Sequence, residues 1–115
     1  VLMTKEEFEQ LSFAEKVMAV VEKIPMCKVT TYGAIAAFCG AKRSARTVGW
    51  LLNSQKQRTD LPFHRVVNRM GILSGKQYFS SPTMMQELLE AEGIEVAENT
   101  VDLVKYFWQP VWEEM

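Results

Sequence analysis

A short stretch of the chain, residues 61–67, brings together the side chains best suited to chemistry. It reads Leu-Pro-Phe-His-Arg-Val-Val and contains His64, the only histidine in the sequence. A histidine beside an arginine could act as a general acid or base. A single histidine is more often a structural hydrogen-bonding residue, however, so the stretch alone favours a rigid corner. Pro62 supports this interpretation, because it fixes its own φ and pushes Leu61 towards an extended conformation.

The basic residues are distributed unevenly along the sequence. The whole chain has a net charge of −1, but residues 42–76 contain eight lysines and arginines and one acid, so this segment is +7. The remainder contains five basic and thirteen acidic residues and is −8. Such asymmetry indicates one surface for a polyanion and another that is only solvated, although chance clustering on a solvated surface would look similar.

Length and composition limit the remaining possibilities. A chain of 115 residues with 48% hydrophobic residues fits one globular domain, residues 1–115. The longest purely apolar run, Val17–Val21, is far too short to span a membrane, and we expect no signal peptide before the first helix. Cys27 and Cys39 lack metal-ligand or redox spacing, which predicts small, packed, reduced thiols in an intracellular compartment, the cytoplasm or nucleoid in a bacterium.

Local signals predict several short helices. Capping boxes at Thr4 and Ser12, each with a glutamate three residues later, mark the first two helix starts. The second helix carries its apolar residues on one face and ends before Pro25. A further helix is predicted from Pro82, capped by one of the two preceding serines, to about Glu92, where a glycine follows.

Two short helices joined by a tight turn form a helix-turn-helix candidate in the middle of the chain. Thr31 is placed to cap the first helix and Ser44 the second, with Gly40 in the turn. The second helix begins with small residues beside Arg46, so its N-terminus could approach a phosphate backbone closely. An ordinary helical hairpin fits the same pattern, and pattern alone leaves both interpretations open.

The segment after the corner predicts a β-hairpin. Residues 66–67 and 72–73 are apolar pairs on either side of a turn signal at Asn68–Gly71. Because a hairpin after a helix-turn-helix is typical of winged helices, we predict a mainly α, winged-helix-like DNA-binding domain with a small β-hairpin. Residues 94–104 could form short strands or an extended segment. The aromatic end of the 94–115 tail is expected to pack back on the core.

Several of these features together resemble a known family. Pro-X-His-Arg-Val-Val at residues 62–67, with Thr-Thr-Tyr-Gly-Ala-Ile-Ala at 30–36 and Ala-Arg-Thr-Val-Gly at 45–49, resembles the DNA-binding domain of O6-alkylguanine-DNA alkyltransferases. The resemblance covers residues 8–93 in the family's order and nearly in its spacing. In that family X is the cysteine that accepts the alkyl group, whereas here X is Phe63. The chain is therefore similar to the alkyltransferase-like subfamily, which lacks this cysteine and usually has tryptophan there.

The resemblance implies a monomeric, non-enzymatic sensor of DNA damage that needs no cofactor and no metal. It would bind double-stranded DNA carrying O6-alkylguanine, flip the damaged base into a pocket and promote nucleotide excision repair by recruiting the proteins of that pathway. The family pattern assigns DNA contacts to Thr31, Tyr32, Lys42, Ser44, Ala45, Arg46, Gly49 and Arg69. It assigns the lesion pocket to Tyr32, Leu52, Phe63, Val66, Ser74 and Lys76. It assigns structural support of the site to Gln55, His64, Arg65 and Glu92.

Some of these residues have particular roles in the resemblance. Tyr32 would rotate a backbone phosphate, and Arg46 would enter the base stack in place of the extruded guanine. Lys76 would supply a cation for the modified base. Phe63 is smaller than tryptophan, and the glycine-rich loop of the true alkyltransferases is absent after Gly75, so the pocket could be wider than in those proteins.

Two other functions fit the composition and pattern without the resemblance. A winged-helix transcription regulator would use the same two helices to read sequence in the major groove. A protein-interaction domain would retain only the fold and would show no salt-dependent affinity for DNA. The resemblance favours the lesion sensor over both, because it accounts for the three motifs together.

Overall fold

The protein is mainly α-helical, with short strands. The computed structural model describes residues 3–112, so the last three residues of the predicted tail lie outside the described range. No helix within that range is both long and apolar enough to cross a membrane. The helices are α1 Lys5–Glu9, α2 Phe13–Lys23, α3 Tyr32–Phe38, α4 Ala45–Ser54, α5 Met84–Ala91 and α6 Leu103–Tyr106. The strands are β1 Thr30–Thr31, β2 Val66–Val67, β3 Val96–Ala97 and β4 Thr100–Val101, and 3₁₀ turns cover Phe63–Arg65 and Lys76–Tyr78.

Capping boxes begin the first two helices, as predicted. The Thr4 hydroxyl accepts a hydrogen bond from the Glu7 N–H at 3.1 Å, and Glu7 Oε1 accepts one from the Thr4 N–H at 3.1 Å. Ser12 and Glu15 form the same reciprocal pair at 2.9 and 3.1 Å. Each box satisfies N–H groups that the start of a helix otherwise leaves unpaired.

Helices α3 and α4 pack against each other across a tight turn, which confirms the helix-turn-helix. The Thr31 hydroxyl caps α3 by accepting a hydrogen bond from the Ala34 N–H at 3.0 Å. Gly40 turns the chain with a φ of +88°. Ser44 is the N-cap residue of α4, but its side chain makes no capping hydrogen bond, so the predicted side-chain cap is wrong for this helix.

Helix α5 begins two residues later than the sequence predicts. Its first residue is Met84, and its N-cap, Thr83, makes no side-chain cap. The Met84 N–H donates to Ser81 O at 3.3 Å, so Pro82 lies in a turn before the helix rather than in its first turn. The other end agrees with the prediction, because the helix stops before Gly93, which has a φ of +90°.

Strand β2 pairs with β1 rather than with the residues that follow it. The two strands run parallel, with Thr30 opposite Val66 and Thr31 opposite Val67. Successive residues of a strand point to opposite faces. Val66 therefore enters the core cluster of α2, α3 and α4, while Val67 enters the cluster around α5. This parallel pair joins the two halves of the core.

The predicted hairpin at residues 66–73 is wrong, and a turn at Asn68 explains why. Asn68 Oδ1 accepts hydrogen bonds from the N–H groups of Met70 and Ile72, each at 2.9 Å. These bonds close the loop on itself and carry Ile72 to a bridge with Thr100 of β4. The chain after β2 therefore pairs with the C-terminal segment instead of forming a second strand alongside β2.

A small antiparallel hairpin is present nearer the C-terminus, where the sequence left strand and extended segment open. Strands β3 and β4 form it, with Val96 opposite Val101. Glu98 and Asn99 between them have φ of +53° and +63°, as a two-residue type I′ turn requires. The predicted fold class is confirmed, but its hairpin lies about thirty residues later than expected.

The aromatic C-terminal segment packs on the core, as predicted. The Trp108 N–H donates to Val29 O at 2.7 Å, and the Val29 N–H donates to Tyr106 O at 3.0 Å. Trp112 contacts Phe8 of α1 edge to face, with ring centroids 5.0 Å apart. Edge-to-face pairs of this kind add specific stabilisation to the area they bury. The tail therefore belongs to the folded domain.

Gly71 lies where the Asn68 loop meets β4. It has a φ of +84°, and a Cβ placed on it would lie 2.2 Å from Val101 O. The Val101 N–H also donates to Gly71 O at 2.8 Å, so moving the two segments apart would break a hydrogen bond. Gly40 has nearly the same φ, but no heavy atom lies within 4 Å of its Cβ position.

These two glycines separate backbone strain from a steric clash. We expect Gly71→Ala to lower the free energy of unfolding by roughly 3 kcal/mol or more, because it combines left-handed strain with the clash against Val101. Gly40→Ala carries the strain alone and should cost about 1 kcal/mol. Urea denaturation of both variants measures the difference. Equal losses would show that the contact at Val101 adjusts freely.

Candidate nucleic-acid interface

Tyr32 is the first residue of α3, and its ring lies between α4 and the loop that precedes α5. A Cβ on Gly49 of α4 would lie 3.9 Å from the Tyr32 ring, and a Cβ on Gly75 would lie 2.9 Å from Tyr32 Oη. Gly75 has an ordinary negative φ, so its position requires space rather than conformational freedom. The two glycines therefore leave room for the tyrosine between α4 and the loop.

Thr31 and Ser74 determine how Tyr32 is presented. Thr31 is only 8% exposed and its hydroxyl caps α3, so it orients Tyr32 and is not placed to make the predicted DNA contact itself. Burial raises the pKa of the Tyr32 phenol, and the hydrogen bond with the Ser74 side chain offsets this only in part. The phenol therefore remains uncharged at neutral pH and can donate a hydrogen bond to a phosphate oxygen.

A cleft of about 440 Å³ opens beside Tyr32. Most of its wall is apolar or aromatic, and its polar groups are few. Such a cleft suits a flat heteroaromatic ring, which can stack on aromatic side chains and hydrogen-bond at its edge. The lining residues are Tyr32, Leu52, Lys56, Arg58, Thr59, Leu61, Phe63, His64, Gly75, Tyr78, Phe79, Ser80, Met84 and Leu88.

Half of the predicted lesion pocket lines this cleft. The residues that do so are Tyr32, Leu52 and Phe63. Val66 does not, because it is 1% exposed and packs in the core. Ser74 and Lys76 are exposed on either side of the lining residue Gly75, and neither side chain is part of the wall. The predicted cation therefore lies beside the cleft, outside it.

Sequence reasoning missed the wall that α5 and the preceding loop supply. This wall consists of Tyr78–Phe79 together with Met84 and Leu88. On α5, Met85 and Leu89 are fully buried in the core, while Met84 and Leu88 face the cleft. The sequence signal for this wall is a pair of adjacent apolar residues in successive turns of α5, Met84–Met85 and Leu88–Leu89. The second residue of each pair packs in the core, which leaves the first for another apolar face.

The corner that carries Phe63 is held by the carboxylate of Glu92, the C-cap residue of α5. His64 Nε2 lies 2.6 Å from Glu92 Oε2, and Arg65 donates from Nε and Nη2 to the same carboxylate at 2.8 to 3.1 Å. Arg65 Nη1 donates to Ile24 O at 2.7 Å, at the end of α2. The support role that the resemblance implies for these three side chains agrees with their contacts.

This network fixes the charge of Glu92. Burial by itself would raise the pKa of the carboxyl, but hydrogen bonds from Arg65, from His64 and from the Cys27 N–H outweigh burial and lower the pKa to about 2. The Glu92 and Arg65 side chains are 11% and 14% exposed, so their charges are poorly screened by water. The pair is a permanent ionic clamp at neutral pH.

Gln55, the fourth predicted support residue, lies outside this network. It is the C-cap residue of α4. Its side chain lines a separate groove of about 430 Å³, together with Met18 and Glu22 of α2. Any structural support that Gln55 gives to the site therefore does not come through the Glu92 carboxylate.

The two cysteines lie outside the cleft. Cys39 is buried, and burial raises the pKa of its thiol to about 11, with a smaller opposing effect from Lys16. Cys27 is exposed rather than packed, which corrects the prediction, and its Sγ donates to Glu92 O at 2.6 Å. No three His, Cys, Asp or Glu side chains in residues 3–112 are grouped so that they could hold a metal ion.

Most basic residues of the 42–76 segment are free to meet a polyanion. Two are neutralised, because Arg58 pairs with Asp60 at 2.7 Å and Arg65 pairs with Glu92. The other six are exposed and form no ion pair within the described part of the chain: Lys42, Arg43, Arg46, Lys56, Arg69 and Lys76. Three of them are predicted DNA contacts, and Ser44, Ala45 and Gly49 add small, partly exposed residues on or beside α4.

Comparison with known proteins decides the family. Residues 12–94, which include the helix-turn-helix, the corner and the whole lining of the cleft, match the model of the 6-O-methylguanine DNA methyltransferase, DNA binding domain. The chain belongs to this family. The resemblance to the methyltransferase DNA-binding domain that the motifs indicate is thereby confirmed.

Relatives within the family include proteins named for DNA recognition. Alkyltransferase-like protein 1 of Schizosaccharomyces pombe is 35% identical over 103 residues, which cover 85% of this chain and 95% of that protein. A DNA base-flipping protein of Escherichia coli is 39% identical over 100 residues, covering 84% of this chain and 74% of that protein. Both names agree with the alkyltransferase-like subfamily that the sequence motifs indicate.

Solved structures confirm the fold of the methyltransferase domain. The crystal structure of the S. pombe protein in complex with damaged DNA containing O6-carboxymethylguanine matches this chain with a TM-score of 0.77 and 32% sequence identity. The match covers 95% of this chain and 100% of the S. pombe chain. A Mycobacterium tuberculosis OGT variant matches with a TM-score of 0.57 at 28% identity, covering 82% of this chain and 54% of that one.

Removing the charge of Glu92 should destabilise the protein strongly near neutral pH. We expect Glu92→Gln to cost about 3 kcal/mol, because the buried Arg65 guanidinium loses its counter-ion. The lowered pKa means that the wild-type carboxylate stabilises the fold above pH 4.5 and loses this effect as the pH falls towards about 2. The difference between the two proteins should therefore narrow over that range.

Urea denaturation at several pH values measures this difference. Asp60→Asn is the matched control, because Asp60 forms an exposed ion pair with Arg58 and its loss should change the denaturation midpoint little. A Glu92→Gln variant as stable as the Asp60→Asn control near neutral pH would contradict the role of the clamp.

Proposed function

We propose that this protein binds double-stranded DNA carrying O6-alkylguanine, turns the damaged base out of the helix and holds it in the cleft beside Tyr32. The observation that carries the proposal is the cleft itself, which is walled by aromatic rings and adjoins the second helix of the helix-turn-helix. The relatives support it, since the S. pombe protein is bound to DNA containing O6-carboxymethylguanine and the E. coli protein is named for base flipping.

Phe63 makes this a binding site without an alkyl acceptor. In the motif Pro-X-His-Arg, it occupies the position at which the transferases have their cysteine. Its benzyl ring has no nucleophilic atom, and both cysteines of the chain lie outside the cleft. The imidazole of His64 and the carboxylate of Glu92 therefore have no thiol to activate and serve to hold the corner. The lesion leaves the site chemically unchanged.

The energy balance favours a damaged base. Extruding a base from duplex DNA costs a few kcal/mol, and the cost is smaller where alkylation has weakened the pair. Stacking on an aromatic side chain returns roughly 1–3 kcal/mol per base. Tyr32, Phe63 and Phe79 supply aromatic surface in the cleft. The cost of extrusion and the gain from stacking nearly cancel for guanine, whereas the lower cost for O6-alkylguanine makes its binding favourable. The cleft can therefore select the lesion even if it holds both bases about equally well.

Arg46 is placed to fill the space that the base leaves. It lies in the first turn of α4, is exposed, and has no acidic partner among the described residues. A guanidinium is planar and only weakly hydrated, so it can stack between bases as an ammonium cannot. We assign Arg46 this role in the flipped complex, with Lys42 and Arg69 as phosphate contacts.

A lesion that is recognised but not repaired must be passed to another system. We propose nucleotide excision repair, because a protein holding a flipped base distorts the duplex and adds bulk at the lesion. Those are the features by which a pathway that excises a patch of strand can be directed to a small adduct. The protein would then act as an adaptor between a small lesion and that pathway.

Binding to matched duplexes tests the proposal. A duplex with one O6-methylguanine should bind more tightly than the same duplex with guanine, in several unrelated sequences, and both affinities should fall steeply with salt. Intact-protein mass spectrometry after incubation should show unmodified protein. Preference for one sequence regardless of the lesion would favour a transcription regulator, a flat salt dependence would favour a protein-interaction domain, and a stoichiometric mass gain would show alkyl transfer.

Substitution of Arg46 distinguishes stacking from phosphate contact. We expect Arg46→Ala to reduce the preference for O6-methylguanine over guanine about tenfold, since the gap left by the base would be empty. Arg43→Ala is the matched control, because Arg43 is exposed in the turn just before α4 and a phosphate contact carries no base information. Electrophoretic mobility shifts on both duplexes measure the ratio. Arg46→Ala behaving like Arg43→Ala would make Arg46 a phosphate contact.

A further inference from the structure

Trp50 is an exposed tryptophan on the second helix of the helix-turn-helix. Its relative exposure is 65%, whereas Trp108 is 7% exposed and Trp112 packs edge to face on Phe8. Helix α4 buries Val48 and Leu52 in the core. Position 50 lies on the opposite side of the helix, so no internal packing requirement explains a large aromatic residue there.

The neighbours of Trp50 identify the surface to which it belongs. Arg46 lies four residues earlier, so the two side chains are adjacent on the helix face, with Cβ atoms about 5–6 Å apart. Gly49 has no side chain that could keep an approaching molecule away, and a Cβ placed on it would lie 3.9 Å from the Tyr32 ring. A molecule that binds along this face of α4 at Arg46 would therefore lie beside the indole.

Charge favours DNA over a protein partner on this surface. Residues 42–59 contain five exposed cations and no acid. Four of these cations form no ion pair within residues 3–112: Lys42, Arg43, Arg46 and Lys56. Arg46 lies one helical turn before Trp50. An exposed aromatic ring in a stretch of chain that carries cations and no acid suits a polyanion that also offers apolar surface, as the sugars and base edges of a duplex do.

We infer that Trp50 packs against the deoxyribose and base edges of the duplex next to Arg46 and supplies an apolar, salt-independent part of the affinity. The inference rests on the proposed DNA binding and names a further contact residue for it. An indole can insert at, or lie along, the minor-groove edge, where apolar side chains unstack or brace neighbouring bases. Because that edge distinguishes sequences poorly, the contact should strengthen damaged and undamaged duplexes alike.

Salt dependence separates this contact from an ionic one. We expect Trp50→Ala to weaken binding to both duplexes about tenfold, with the slope of log affinity against log salt unchanged. Trp50→Phe should recover most of the loss, because it keeps an aromatic ring. Arg43→Ala is the control, and it should lower the steepness of the slope by about one unit instead. The inference would be overturned if Trp50→Ala bound DNA within twofold of the wild-type affinity, or if its salt slope differed from that of wild type. Trp50 would then be better explained as a contact for a protein partner.

Intrinsic fluorescence provides a second readout that does not depend on the alanine variant. Adding DNA to the wild-type protein should change the tryptophan emission, because the exposed indole leaves water. In Trp50→Phe, which retains Trp108 and Trp112, that change should be lost. An unchanged response would overturn the inference. A wild-type protein that binds both duplexes equally, yet loses affinity in Trp50→Ala, would refute lesion sensing while leaving the Trp50 contact intact.

Discussion

The Glu92 carboxylate is the point on which the geometry of the site depends. It accepts hydrogen bonds from the His64 and Arg65 side chains and from the Cys27 N–H, and Arg65 reaches on to the carbonyl that ends α2. One buried anion therefore ties the end of α5, the corner and the end of α2 together. Breaking such a cluster leaves an unpaired charge inside the protein, so the arrangement is rigid at neutral pH.

This rigidity has a consequence for recognition. Phe63 precedes the clamp residues directly, and β2 follows them into the core, so the ring is held at one place in the wall of the cleft. Because this wall is already ordered, a flipped base could bind without the loss of conformational entropy that ordering the site would require. The histidine and the carboxylate look like an acid–base pair, but in the proposed function Phe63 offers no thiol to activate, and the pair holds the corner in place.

Local signals in the sequence predicted what local physics determines. The capping boxes at Thr4 and Ser12, the buried stripe of α2 and the helix-turn-helix follow from interactions within a few residues, and all are present. Local signals do not reveal the partner of β2, because its parallel pairing with β1 joins residues thirty-six positions apart. The turn at Asn68 also looks in the sequence like the turn of a hairpin. The family motif placed Tyr32, Leu52 and Phe63 at the cleft, but the wall from α5 depends on how the two core clusters pack.

The proposed function depends above all on the damaged base leaving the helix when the protein binds. A fluorescent base analogue placed next to O6-methylguanine reports this directly, because its emission rises when its stacking neighbour is withdrawn. We expect a clear rise in emission that saturates as the damaged duplex becomes fully bound, with a much smaller rise on the guanine duplex. Tight binding of the damaged duplex with emission unchanged from the free DNA would show that the lesion is read within the stack, and would contradict the account.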